Sequence, residues 1–268
     1  MKTTALLREI EKLEASRKAS RAQIASDRVA FARLVGIEPD EWQLRLLRSY
    51  APRILLNCGR QTGKSTAAAV LALHAALVRE GALVLILGPA ERQGKELFSK
   101  VAAFYRTLGY VIPTDSYRKL GMELKNGSRI EALPGTEKTV RGFSSVDLLI
   151  VDEASRVSDE LYHAVRPMLA VSGGRLLMLS SPFGKRGEFY EAWENGGNDW
   201  ERYEVPASQC PRISEEFLAS ERRAMPERVF RQEFQCEFTE TDDQVFTHEL
   251  VLGALSDEVA PLDLEWSW

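Results

Sequence analysis

Ile54-Leu-Leu-Asn-Cys58-Gly59-Arg60-Gln61-Thr62-Gly63-Lys64-Ser65-Thr66, running into Ala67-Ala-Ala-Val-Leu-Ala-Leu-His-Ala-Ala-Leu-Val78, is the stretch from which the fold is read. Ile54–Asn57 is a short apolar strand that enters a glycine turn. Ser65–Val78 is rich in Ala and Leu and reads as helix. A strand, a glycine loop with Lys-Ser at its end, and a helix form the context that a phosphate-binding P-loop requires. Gly59 and Gly63 let the backbone curl until its N–H groups face an anion, and the helix N-terminus adds a favourable field. The spacing assigns nucleotide contacts to Gly59, Arg60, Gln61, Thr62, Gly63, Lys64, Ser65 and Thr66. Lys64 is expected on the β- and γ-phosphates of ATP, and the Ser65 hydroxyl on Mg2+. One departure stands out: the usual pattern has glycine five residues before Gly63, and Cys58 occupies that place.

The chain on either side keeps alternating strand and helix. Leu83–Leu87 is a continuous apolar run followed by Gly88-Pro89 and a helix near 91–107. Asn126-Gly127 between Leu124-Lys125 and Arg129–Leu133 is a hairpin signal. Asp147–Val151 and Leu176–Leu179 are two more buried strands. Ser158–Met168 reads as a helix that Ser158 and Asp159 cap, and a further helix lies near 187–195. Residues 214–235 read as two helices split at Pro226. Buried strands separated by helices predict an α/β fold, a parallel sheet of P-loop NTPase type covered on both faces, with a small C-terminal helical subdomain. The expected division is a helical arm over 1–34, an ATPase domain over 35–240, and an acidic linker over 241–268.

Asp152-Glu153 closes the apolar run Leu148-Leu-Ile-Val151. An acidic pair after a strand is common by itself. Beside a P-loop it becomes the hydrolytic pair, with Asp152 holding Mg2+ through water and Glu153 polarising the attacking water. Three weaker features accompany it. Ser180 and Ser181 end the fourth strand, where small hydroxyls could sense the γ-phosphate and couple it onward. Gln43, about twenty residues before Lys64, carries an amide able to donate to and accept from adenine. Arg60 and Arg141 are the two candidates for neutralising transition-state charge. Arg60 lies inside the loop and is expected to reach only its own nucleotide or the loop itself. Arg141, ahead of the Asp147–Val151 strand, is placed to project across an interface.

Composition narrows the setting. Of 268 residues, 44% are hydrophobic, enough for a sizeable core. No apolar run approaches the roughly 18 residues of a membrane span. Three widely spaced cysteines build neither a disulfide framework nor a zinc site. The net charge of −4 does not advertise nucleic acid, yet the charge is uneven. Residues 1–33 hold eight Lys/Arg against four acids, and residues 237–268 hold nine acids and no Lys or Arg. These ends read either as solvated tails or as a basic arm near DNA and an acidic linker.

Together, CGRQTGKS (58–65), DRVAFARLVGIEPDEWQ (27–43), TVRGFSSVDLLIVDEAS (139–155), LLMLSSPFGKRGEFYEAW (176–193) and FRQEFQCEF (230–238) resemble the ATPase domain of the large terminase subunit of tailed bacteriophages, over about Asp27 to Phe246. The resemblance implies an ASCE (RecA-like) sheet with the Ser180 strand between the P-loop strand and the Asp152 strand. It implies ATP-driven translocation of double-stranded DNA into a procapsid, through non-specific backbone contacts. A homo-oligomeric ring on a portal, a small terminase subunit as partner, and the bacterial host cytoplasm as location follow from the same likeness, as does a trans role for Arg141. Such subunits usually continue into an RNase H-like nuclease domain. About twenty residues follow Phe246, so nuclease activity is expected to be absent from this chain. Two other functions compete: a helicase-like or remodelling ATPase, for which no second sheet fits after residue 200, and a nucleotide-binding scaffold, against which Glu153 argues.

Overall fold

The computed structural model describes residues 27–134, 140, 142–240, 250 and 253–254. The arm expected over 1–26, Arg141 and nearly all of the acidic segment 241–268 lie outside the described residues. The described strands are β1 (Arg53–Cys58), β2 (Leu83–Gly88), β3 (Thr114–Arg118), β4 (Gly121–Leu124), β5 (Arg129–Pro134), β6 (Leu148–Asp152), β7 (Arg175–Ser180) and β8 (Glu201–Val205). They form an eight-stranded sheet in the order β3-β4-β5-β2-β6-β7-β1-β8. Strands β5, β2, β6, β7, β1 and β8 run parallel. β4 and β3 extend one edge as an antiparallel meander. The expected placement of β7 between β1 and β6 is observed.

The alternation of side chains along each strand sorts the core into two layers. Ile54, Leu56, Val84, Ile86, Leu148, Ile150, Leu177 and Leu179 face one cluster, and Leu55, Leu85, Leu87, Leu149, Val151, Leu176 and Met178 face the other. The first layer is covered by α1 (Arg28–Leu34), α2 (Glu41–Arg48), α3 (Lys64–Val78) and α4 (Glu91–Thr107). The second is covered by α5 (Asp159–Val165) and α6 (Gly187–Glu194). Because both faces are covered, the central strands read as unbroken apolar runs. Removing one fully buried leucine, Leu56→Ala for example, costs about 2–5 kcal/mol.

Helix α3 is buried on nearly every side, so its sequence is apolar all round with no amphipathic stripe. Phe31 of α1 is fully buried and packs edge-on to His74 of α3. These residues therefore sit on the core side of the boundary expected at 34. The Asn126-Gly127 hairpin joins β4 to β5. Gly127 takes a left-handed φ of 78°, and the Asn126 amide donates to the Ala76 carbonyl, tying the turn to α3. Beyond β8, α7 (Glu215–Ala224) and α8 (Glu227–Gln235) form the small helical subdomain, split at Pro226 as the sequence predicts. α8 packs through Phe230 and Phe234 onto Ala207.

Candidate active site

In a parallel sheet the loops after the strands share one edge, and ligands bind there. β1, β7 and β6 are neighbours, so the loops after Cys58, Ser180 and Asp152 meet around a cleft of about 810 Å³. Gly63 caps α3 with a left-handed φ of 95°, a conformation that side chains resist. A Cβ on Gly63 would lie 2.8 Å from Gln43 Nε2. A Cβ on Gly59 would meet two backbone atoms, Ala207 N and Phe234 O, each at 3.0 Å. Glycine is thus favoured at 63 by its dihedral and at 59 by the close approach of backbone.

Lys64 is buried at the start of α3, and its Nζ lies 3.8 Å from Glu153 Oε1. Glu153 has a left-handed φ of 50°, which turns the chain out of β6 and brings its carboxylate over the loop. Asp152 is buried beside it, and its Oδ1 accepts the Glu153 N–H at 3.0 Å. Burial first, and then the Glu153 charge, push the Asp152 carboxyl up to about 6, while Lys64 and Lys100 pull in the opposite direction. Such a carboxylate, compensated by the two lysines only in part, suits a divalent cation.

Hydrogen bonds tie the strand ends together. Ser155 and Ser180 hydroxyls are 2.6 Å apart, and Ser155 Oγ also donates to the Ser181 carbonyl at 2.8 Å. Ser181 Oγ donates to Glu233 Oε2 at 3.2 Å. On the opposite wall, Arg212 forks onto both Asp40 carboxylate oxygens at 2.7 Å and donates to the Thr62 carbonyl at 3.1 Å.

The family "Terminase large subunit, T4likevirus-type, N-terminal" matches residues 55–251. The chain belongs to this family. The terminase large subunit of Thermus phage G20c is 28% identical over 252 residues, covering 81% of this chain and 52% of its own length. That of Escherichia phage T5 is 24% identical over 222 residues, covering 79% and 50%. The chain therefore spans about half the length of the curated relatives it matches. Among solved structures, the large terminase ATPase domain of Thermus phage P74-26 superimposes with a TM-score of 0.70 at 25% identity, covering 78% of this chain and 97% of that one. A large terminase from a thermophilic bacteriophage, solved in complex with ADP, shares the fold, with a TM-score of 0.65 at 11% identity, covering 75% and 54%.

Within this terminase site, the structure gathers Arg60, Gln61, Gly63, Lys64, Ser65 and Thr66 on the cleft, together with Gln43, Glu153 and Ser181. Thr62 is fully buried, and its hydroxyl donates to the Gly59 carbonyl, bracing the loop from within. Gln43 already has two partners: its Oε1 accepts from Asp40 N at 3.0 Å, and its Nε2 donates to the Gly63 carbonyl at 3.4 Å. One N–H and one lone pair remain for a base. Ser180 faces Ser155, while its neighbour Ser181 lines the cleft. The expectation that Arg60 reaches only the loop or its own nucleotide is corrected. Its Nε donates to Glu233 Oε2 of α8 at 2.7 Å, because the end of α8 is docked against the start of the loop.

Sequence reasoning missed Glu233, Arg156 and Arg212. Arg156 lies in the cleft, 3.5 Å from Glu233 Oε1 and stacked at 4.1 Å over the Phe183 ring. Nothing in the spacing marks Arg212, whose site is made by a loop far from the P-loop in sequence. Glu233 sits in a quoted family segment, but only the three-dimensional packing shows which atoms it touches.

Proposed function

We propose that this chain is the ATP-hydrolysing motor domain of a large terminase, moving double-stranded DNA into a procapsid. One observation carries the reading: the P-loop lysine and the acidic pair of β6 meet in one cleft, with Lys64 Nζ 3.8 Å from Glu153. The site fits a nucleoside triphosphate with Mg2+. Backbone atoms crowd the place of a Cβ at Gly59, Gly63 takes a dihedral that side chains resist, and Asp152 is a buried carboxylate that nearby lysines compensate only in part.

Lys64 would bind the β- and γ-phosphates, and the N-terminus of α3 would orient them. Ser65 and Asp152 would hold Mg2+, which supplies charge neutralisation at the phosphates when bound. Glu153 would orient the attacking water and take up its proton. Gln43 would fix the base side, Ser181 would report the γ-phosphate, and Ser180 would hold the Ser155 loop that supports it. Arg141 would act on the nucleotide of a neighbouring subunit in a ring on the portal, with a finger's effect on the order of 10³ to 10⁵ in rate. DNA would be held by its backbone, so binding would be sequence-independent and salt-sensitive. The small subunit and the host cytoplasm complete the proposed setting.

The test is ATPase rate with and without duplex DNA, across protein concentration. A DNA-stimulated rate that rises more steeply than linearly supports a ring motor. A rate indifferent to DNA and linear in protein contradicts it. Mixing Arg141→Ala with Glu153→Gln should restore activity once subunits associate; mixed oligomers that form and stay inactive exclude the trans role.

A further inference from the structure

Arg212 lines the cleft from the loop between β8 and α7, and its guanidinium is already committed to protein. Nη1 and Nη2 fork onto the two Asp40 carboxylate oxygens, each at 2.7 Å, and Nη2 also donates to the Thr62 carbonyl at 3.1 Å. Asp40 is the N-cap of α2, and its side chain is 11% exposed against 51% for Arg212. The Asp40 backbone N–H donates to Gln43 Oε1 at 3.0 Å, and Gln43 Nε2 donates to the Gly63 carbonyl at 3.4 Å. Arg212, Asp40 and Gln43 therefore form a chain of bonds whose two ends rest on consecutive carbonyls of the P-loop. The space beside Gly63 records the same convergence: a Cβ there would lie 2.8 Å from Gln43 Nε2 and 3.3 Å from Arg212 Nη2. Gln43 itself is buried, with its amide on the cleft.

A free carboxamide has no fixed sense, because a half-turn exchanges its donor and its acceptor. Here the Asp40 N–H requires the oxygen and the Gly63 carbonyl requires the nitrogen, so the sense is set. The N–H and the lone pair that remain complement adenine, which offers an acceptor at N7 and a donor at N6. Guanine offers acceptors at both N7 and O6, so the Gln43 oxygen would face another oxygen. An amide that loses its hold on Asp40 can turn its NH2 toward O6 instead. Base selectivity then depends on how firmly Asp40 is held. The fork from Arg212 is a planar, two-bond grip that a lysine cannot reproduce.

We propose that Arg212 is a positioning residue for base selectivity: by holding Asp40 it fixes the sense of the Gln43 amide, and so favours adenine over guanine nucleotides. It acts through Asp40 and Gln43 and touches no part of the nucleotide that reacts. The inference rests on the cleft being an ATP site, which it deepens by naming what selects the base.

The test is calorimetric binding of non-hydrolysable ATP and GTP analogues, with phosphate release measured alongside. The wild type should prefer the ATP analogue. Arg212→Gln should lower that preference about threefold to tenfold, the range for losing one half-exposed charge pair, and should do so mainly by weakening the ATP analogue. In turnover the loss should appear in KM for ATP rather than in kcat. Arg212→Lys keeps the charge without the fork, so its preference should fall between the two. Asp40→Asn should lose the same preference as Arg212→Gln, and the double variant should lose no more, because the two residues act in series. Asp40→Asn decides the matter if Arg212→Gln does not fold. A residue that merely braces the P-loop would weaken both analogues alike, and that result overturns the inference. So do an unchanged preference in Arg212→Gln, losses that add in the double variant, and a wild type that binds both analogues equally. A wild type that binds neither analogue overturns the ATP reading itself, and so is distinct from these.

Discussion

Glu153→Gln separates binding from turnover in a way the geometry makes quantitative. The pair Lys64–Glu153 is 3.8 Å long, with side chains 11% and 27% exposed. Coulomb's law at this distance gives about 1 kcal/mol in water and about 4 kcal/mol at the effective dielectric of a protein surface. After screening and side-chain entropy, roughly 1 kcal/mol is a fair value. Phosphates arriving at Lys64 displace Glu153, so the pair opposes binding. Neutralising Glu153 also removes a repulsion from the phosphates. It further removes one of the two forces that raise the Asp152 carboxyl, leaving Asp152 better ionised for a cation. All three effects have the same sign. The variant should bind a magnesium–ATP analogue about fivefold more tightly, since 1.4 kcal/mol is tenfold. Turnover should fall by roughly a hundredfold or more, the scale of a positioned base. Calorimetric titration and a phosphate-release assay read the two numbers. Binding weakened fivefold or more would make Glu153 a structural partner of Lys64, and turnover within threefold of wild type would remove it from the chemistry.

Lys64→Ala should lose nucleotide binding and hydrolysis together, and wild-type turnover in that variant would refute the P-loop assignment. Asp152→Asn should abolish the magnesium dependence of nucleotide binding yet raise the melting temperature of the metal-free protein at neutral pH. The folded carboxyl sits near 6, above the roughly 3.9 of an unfolded Asp, so its ionisation costs stability as pH rises through that window, and about 1–3 kcal/mol should return in the amide. By the same sign, magnesium-dependent binding in the wild type should weaken as pH falls through about 6, while magnesium-free binding should not follow that profile. Gly59→Ala should cost about 1–3 kcal/mol in thermal unfolding, because its Cβ meets backbone on both Ala207 and Phe234 and neither can swing aside.

The central strands and their helices were legible because burial on both faces leaves an unmistakable apolar run, as in Leu83–Leu87. The P-loop was legible because its residues are consecutive. The edge strands β3 and β8 were not. Thr114–Arg118 and Glu201–Val205 carry charges on exposed positions, as edge strands do to resist further pairing, and this erases the pattern. Within the site, the signal failed wherever a contact joins distant segments. Arg60 was visible as a loop arginine, but its partner lies 173 residues away, and only the docking of α8 defines the pair. Gln43 was placed at the nucleotide from its spacing, whereas its bonds to Asp40 and Gly63 show that it also braces α2 against the loop. The charge field around Asp152 was hidden too, since Lys100 comes from α4 and enters the cleft only through the order of the strands.

That strand order has a mechanical consequence. β6, β7 and β1 are successive neighbours, and strands lie about 4.8 Å apart, so the outer two are separated by roughly 10 Å. A polyphosphate tail laid across the strand ends is of that size, and it would meet β1 through the loop, β7 through Ser181 and β6 through its acids. Protein contacts span the same gap by two paths, Lys64 to Glu153 and Arg60 to Glu233 to Ser181. The loop after β1 is thus tied to β6 directly and to β7 by way of α8, so a substitution at one strand end is felt at the other two.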